Sequence, residues 1–249
     1  MSKPNSDLDF SASSPTSRGL RGPVLHLALF ALAGLVLVFG VSLGLTRTSA
    51  PSLALGIGGY GFGVALAFIL LQRGFPYQTL GFCNAVTLTR LALAAALLAP
   101  LAHPTVVPWA LFAVAATALS LDGVDGWLAR REGRVSDFGA RFDMEVDSAL
   151  ALILALNAWA AGTMGPLVLL IGLPRYVFVA AALGLPWLKQ ALPDRFGRKA
   201  VCVAQIAALI GLQLPGLPSD LGLALVVTVA AALLWSFGRD VAWLWRHRA

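Results

Sequence analysis

Charge is scarce in this chain, and acid is scarcer than base. Charged residues make up 12% of the 249 positions, against 58% hydrophobic, with 18 Lys and Arg but only 12 Asp and Glu. A soluble domain of this size needs a polar shell, and too few polar residues are present to build one. Long stretches alternating with period two are also missing, which excludes a membrane β-barrel. The two cysteines, Cys83 and Cys202, are far apart and match no metal or redox spacing. They read as small membrane-embedded residues and not as a disulfide pair. No Walker A sequence, H-E-x-x-H or G-x-S-x-G occurs, so those phosphate, zinc and serine-hydrolase chemistries find no support.

What the chain has in place of charge is apolar runs of about 20 residues, separated by short polar connections. Mean hydropathy is +0.81. The pattern predicts an all-α, polytopic membrane bundle of about eight spans, near 23–46, 51–72, 84–101, 107–129, 138–162, 165–187, 199–214 and 220–241. Residues 1–22 read as a polar, Ser- and Pro-rich disordered tail. The first run is long for a signal peptide, follows a long polar lead and has only a weak cleavage site, so it reads as an uncleaved span.

The placement of the +6 net charge gives the orientation. The connections near 47–50, 102–106, 163–164 and 215–219 carry one basic residue, Arg47. The opposite side holds Arg18, Arg21, Arg73, Arg130, Arg131, Arg134, Lys189, Arg195, Arg198, Lys199, Arg246 and Arg248 among others. That side is expected to be cytoplasmic, with both termini, so the basic charge records topology and not a nucleic-acid surface. "GIGGYG", residues 56–61, formally fits a dinucleotide fingerprint but lies inside an apolar span. Its glycines suit close helix packing, with Gly59 and Gly63 forming a G-x-x-x-G pair.

Seven of the twelve acids are gathered in one stretch, "LDGVDGWLARREGRVSDFGARFDMEVDS", residues 121–148. Asp122 and Asp125 lie three apart near the end of one span, and Asp143 and Asp147 four apart near the start of the next. Those spacings put each pair on one helical face. The short loop between them predicts antiparallel neighbouring helices, with the four carboxylates converging at one depth. Unpaired, they would repel; a divalent cation, or two, removes the repulsion. Oxygen-only ligands favour Mg²⁺, Mn²⁺ or Ca²⁺, and the lack of nearby His and Cys argues against zinc. Two such ions suit phosphoryl chemistry. Gly126 and Ala129 keep the helix surface small beside the acids, and Arg130 can contact a phosphate there. The bland alternative is an ion-paired network at the end of a helix hairpin. Asp137 reads as a helix cap, and Glu145 as the i,i+4 partner of Arg141.

The pattern D-x2-D-G-x2-A-R-x8-G-x3-D-x3-D is filled by Asp122, Asp125, Gly126, Ala129, Arg130, Gly139, Asp143 and Asp147. It resembles the signature of the CDP-alcohol phosphotransferases, also called CDP-alcohol phosphatidyltransferases. "NAVTLTR", with Asn84, Thr87 and Arg90, resembles the N-x-x-T-x-x-R of that family's first core helix, although Cys83 stands where a proline is usual. Arg175 lies mid-span in "GLPRYVF", where family members also often carry an arginine. "RFGRKAVCVAQ" is a looser likeness, leaving Arg195, Arg198 and Lys199 as phosphate contacts or plain topology signals.

The resemblance implies a six-helix catalytic core over 80–241, commonly dimeric, preceded by an added helical pair at 23–79 and followed by a basic tail at 242–249. It implies an enzyme set in the lipid bilayer that transfers a substituted phosphate from CDP-diacylglycerol or a related CDP-alcohol to an alcohol acceptor, with release of CMP. Two Mg²⁺ or Mn²⁺ ions are implied, with Asp122, Asp125 and Asp143 as ligands and Asp147 as ligand, general base or both. Asn84, Thr87, Gly126 and Arg130 would position the nucleotide. Arg175 is either an anion site for a phosphorylated acceptor or part of an ion-pair network. Glycerol 3-phosphate, inositol phosphate, serine and choline-type alcohols all remain open as acceptors. The rival class is a transporter or channel, which predicts acids spread through the membrane depth.

Overall fold

A computed structural model describes residues 21–46, 49–103, 106–190, 192–193 and 196–247. The expected N-terminal tail lies almost wholly outside these residues, as do Arg18, Arg47, Arg195 and Arg248. The described residues form nine α-helices and no strand. They are α1 (Arg21–Thr46), α2 (Ala50–Gln72), α3 (Phe82–Ala96), α4 (Pro108–Arg131), α5 (Asp137–Ala160), α6 (Leu169–Gly172), α7 (Pro174–Gly184), α8 (Phe196–Gly211) and α9 (Ser219–Arg246).

Among the described residues, five helical segments are long and apolar enough to cross a membrane: α1, α2, α3 with the 3₁₀ turn that follows it, α4 and α9. A sixth arises if the bent pair around α6 and α7 is one span. Thus the all-α bundle is present, and α5 and α8 fall outside those five or six for identifiable reasons. The helix α5 is long enough but carries Asp137, Arg141, Asp143, Glu145 and Asp147 in its first half. The helix α8 is only 16 residues long. The expected continuous span at 165–187 is broken: its two parts meet at 65° where Pro174 opens α7. Proline lacks the N–H that would continue the preceding helix and clashes with its last turn.

At the centre stands α3, the most enclosed of these spans, with 67% of its apolar window buried. Its run of Ala92, Ala94, Ala95 and Ala96 is fully enclosed, since small side chains let neighbouring backbones approach where lipid offers no hydrophobic drive. Both α4 and α5 pack on α3, whereas they make little contact with each other. The expectation that α4 and α5 are packed neighbours is therefore corrected: α3 is the wall they share.

One apolar core joins α3, α4, α5, α6, α8 and α9 through residues such as Leu97, Leu154, Ile171, Leu209 and Leu233. A second joins α1, α2 and α3 to the start of α5 through Tyr60, Leu71, Leu91, Phe138 and Phe142. The G-x-x-x-G pair serves this second core. A Cβ at Gly63 would come within 2.6 Å of Leu91, and one at Gly59 would collide with Leu98. Only glycine lets α2 lie this close to the α3 segment.

Candidate active site

The signature helix α4 is ended by its own sequence. Gly133 takes φ +62°, which a side chain disfavours. Around it, the Arg134 N–H donates to the Ala129 carbonyl at 3.0 Å and the Gly133 N–H to the Arg130 carbonyl at 3.3 Å. These are the paired bonds of a Schellman stop. The next helix starts at Ser136, whose Oγ accepts from the Gly139 N–H at 3.1 Å. Ser136 and not Asp137 is the cap; Asp137 is the first helical residue, where its charge still favours the helix N-terminus.

This turn returns the chain so that all four aspartates surround one side chain, Arg90 of α3. Arg90 is 1% exposed. One of its terminal nitrogens lies 2.8 Å from Asp122 Oδ1 and also contacts Asp147 Oδ1; the other lies 2.8 Å from Asp125 Oδ2 and also contacts Asp143 Oδ1. The Nε–H donates to the Ala118 carbonyl at 3.2 Å. Every donor edge of the guanidinium is thus committed, as a buried charge requires. Arg90 was legible as a motif residue, but its part in the site was not. The N-x-x-T-x-x-R spacing is a weak signal, and nothing local says that the arginine points at acids 32 or more residues away.

The four acids are not equivalent. Asp122, Asp143 and Asp147 each offer an oxygen within 4.8 Å of the others, and their side chains keep 27%, 37% and 29% exposure. Asp125 is buried beneath them. Its Oδ2 receives Arg90 and lies 3.0 Å from the Thr87 hydroxyl, which is also 3.1 Å from the Cys83 carbonyl. Thr87 therefore supports Asp125 from behind. Arg90 engages one oxygen of each acid, leaving Asp122, Asp143 and Asp147 a second oxygen each for a cation. An all-oxygen trio of this span, with no His or Cys in it, fits a hard divalent ion.

One signature glycine has a spatial reason: a Cβ at Gly139 would come 3.3 Å from Asn84 Oδ1, so this position lets α5 close onto buried Asn84. At Gly126 a Cβ would make only an ordinary 3.4 Å contact with the Arg130 guanidinium, which folds back over it from one turn away. Arg130 itself is exposed.

Arg175 stands on α7, just past the break, with one amino group 2.6 Å from Glu145 Oε1. Glu145 is thus paired across to α7 and not with Arg141. The Arg175 Nε is buried and has no partner among the described residues. Arg198 is drawn to Asp240 of α9 at 3.4 Å and to the Pro193 carbonyl at 2.9 Å. Lys199 is exposed. Both cysteines are free, Cys83 buried and Cys202 exposed.

An all-α bundle that carries a carboxylate cluster and the eight-position signature fits a family of transferases of phosphate-containing groups. The family model for CDP-alcohol phosphatidyltransferases matches residues 80–237, more than half of the chain, and the chain belongs to that family. A search of curated proteins and a search of solved structures each return no significant match.

Proposed function

We propose that the protein is an integral membrane enzyme of phospholipid synthesis that moves a phosphatidyl group from CDP-diacylglycerol, or a related CDP-alcohol, to an alcohol with release of CMP. The observation that carries this is the meeting of Asp122, Asp143 and Asp147, with Asp125 beneath them, on α4 and α5. Those residues would hold two Mg²⁺ or Mn²⁺ ions, which when bound neutralise the diphosphate and activate the acceptor hydroxyl. Asp147 accepts the proton of that hydroxyl. The acceptor oxygen then attacks the phosphorus bearing the lipid, the bond from that phosphorus to the bridging oxygen breaks, and CMP leaves with the electron pair. Arg130, lying over Gly126, meets the nucleotide phosphate, and Asn84 and Thr87 order the floor of the site.

The catalytic core is 80–241, with the site, both termini and the basic tail at 242–249 on the cytoplasmic side, and the active form is a homodimer. Charge asymmetry supports the sidedness. Clustering of the acids at one end of the bundle favours this reading over a cation pathway, which would spread them in depth. For the acceptor we propose a phosphorylated alcohol. Arg175 meets α5 at Glu145 and keeps an unpartnered Nε–H, and a guanidinium binds phosphate oxygens bidentately. The test is an assay of the purified protein with radiolabelled CDP-diacylglycerol against a panel of free and phosphorylated alcohols. CMP and a new phospholipid formed together support the reading. A folded protein inert with every donor and acceptor overturns it.

A further inference from the structure

Since α4 and α5 barely touch, something besides their own packing must set the distance between their acids. On one side that is α3, through Arg90. On the other side the structure offers a second restraint, contributed by residues 75–79, which lie outside the family match. The Tyr77 hydroxyl is 3.2 Å from the Gly133 carbonyl and 3.1 Å from the Val135 carbonyl, the two backbone acceptors flanking Arg134 in the signature loop. Arg134 reaches back. Its guanidinium donates to the Thr79 carbonyl at 2.8 Å and the Thr79 hydroxyl at 2.7 Å, and lies 5.8 Å from the Tyr77 ring centre. Phe75 anchors the strap from below. Its ring meets Tyr77 edge-on at 5.6 Å and Phe138 of α5 at 5.3 Å. Gly81 closes the far end, where a Cβ would come 2.7 Å from both Arg134 Cδ and Glu132 Oε2.

We propose that the α2–α3 connection is a strap that fixes the signature loop, with Tyr77 and Arg134 as positioning residues for the acid-bearing ends of α4 and α5. The segment that joins the added N-terminal helical pair to the core is then a working part of the site. Partners that orient metal ligands at one remove typically change metal affinity 10–100-fold. The loop bonds are exposed to solvent and reach the acids only through the loop backbone, so the effect of losing the tyrosine hydroxyl lies at the lower end of that range.

The inference rests on the proposed metal reading for its effect on the site, but not for the strap itself. The test uses the full chain in detergent, comparing wild type with Tyr77→Phe, which removes only a hydroxyl, and with Thr79→Val. Hydrogen exchange of the 132–141 amides is measured without metal, and Mn²⁺ binding is read from the free-ion paramagnetic resonance signal. Both variants are expected to speed exchange in the loop several-fold and to raise the Mn²⁺ concentration at half-saturation about 10-fold. Excess Mn²⁺ should restore kcat in Tyr77→Phe with acceptor KM little changed, which a merely global loss of stability would not do. Loop exchange and Mn²⁺ binding both at wild-type values would overturn the strap. Wild type that binds no Mn²⁺ overturns the metal reading instead, and the loop exchange alone then decides for or against the strap.

Discussion

Arg90 and Asp125 form the buried floor of the site: the guanidinium is 1% exposed, the carboxylate 6%, and they lie 2.8 Å apart. The same guanidinium reaches Asp122, Asp143 and Asp147. One cation on the central helix therefore organises acids from two helices that hardly touch each other.

Replacing Arg90 by Gln is expected to destabilise the protein by about 3 kcal/mol, because it leaves buried Asp125 without its cation beside three partly exposed acids. Thermal unfolding checks this. Added Mg²⁺ or Mn²⁺ should raise the melting temperature of Arg90→Gln more than that of wild type, since the metal then replaces the missing charge. An equal rise in both would mean that Arg90 and the metal do not share these acids.

Asp122→Asn, Asp143→Asn and Asp147→Asn are each expected to cut turnover by about 100-fold or more while the protein still folds, because each removes a charge that the phosphoryl chemistry uses. Asp125→Asn should also lose turnover, and it alone should markedly lower the melting temperature, given its burial against Arg90 and Thr87. Steady-state rates and melting curves on the same preparations separate the two effects.

Arg175→Ala is expected to raise the acceptor KM much more than the donor KM. Glu145→Gln should change turnover less than tenfold, since it withdraws one partner from Arg175 and no charge from the aspartate cluster. Kinetics with both substrates varied decide this. Equal effects on donor and acceptor would assign Arg175 to an ion-pair network.

Gly133→Ala should lower stability by about 1–2 kcal/mol, because φ +62° is held at the stop of α4. Gly123→Ala, in the same helix with open space at its Cβ position, serves as the control and should not destabilise.

Much of this was written locally in the sequence. The three- and four-residue spacings of the aspartates fix which helical faces they share, and apolar run lengths locate the helices to within a few residues. The break before Arg175 was also signalled, by Pro174 inside "GLPRYVF". What sequence could not supply was partner choice across the bundle. Glu145 has an arginine four residues back, yet it pairs with Arg175 on another element. Asp137 has the chemistry of a cap, yet Ser136 one residue earlier has the extended backbone a cap requires. The insertion of α3 between α4 and α5 follows from its enclosed alanine-rich run, a property of the assembled bundle and not of the loop that joins the two acid-bearing helices.

The most direct measurement is CMP release from radiolabelled CDP-diacylglycerol by the purified protein, with a phosphorylated alcohol and Mg²⁺, followed with and without excess EDTA. The account predicts CMP and a new phospholipid in equal amounts, lost in EDTA, restored by added Mg²⁺ or Mn²⁺, and absent in Asp143→Asn. CMP release that continues undiminished in EDTA, or that Asp143→Asn leaves intact, would contradict it.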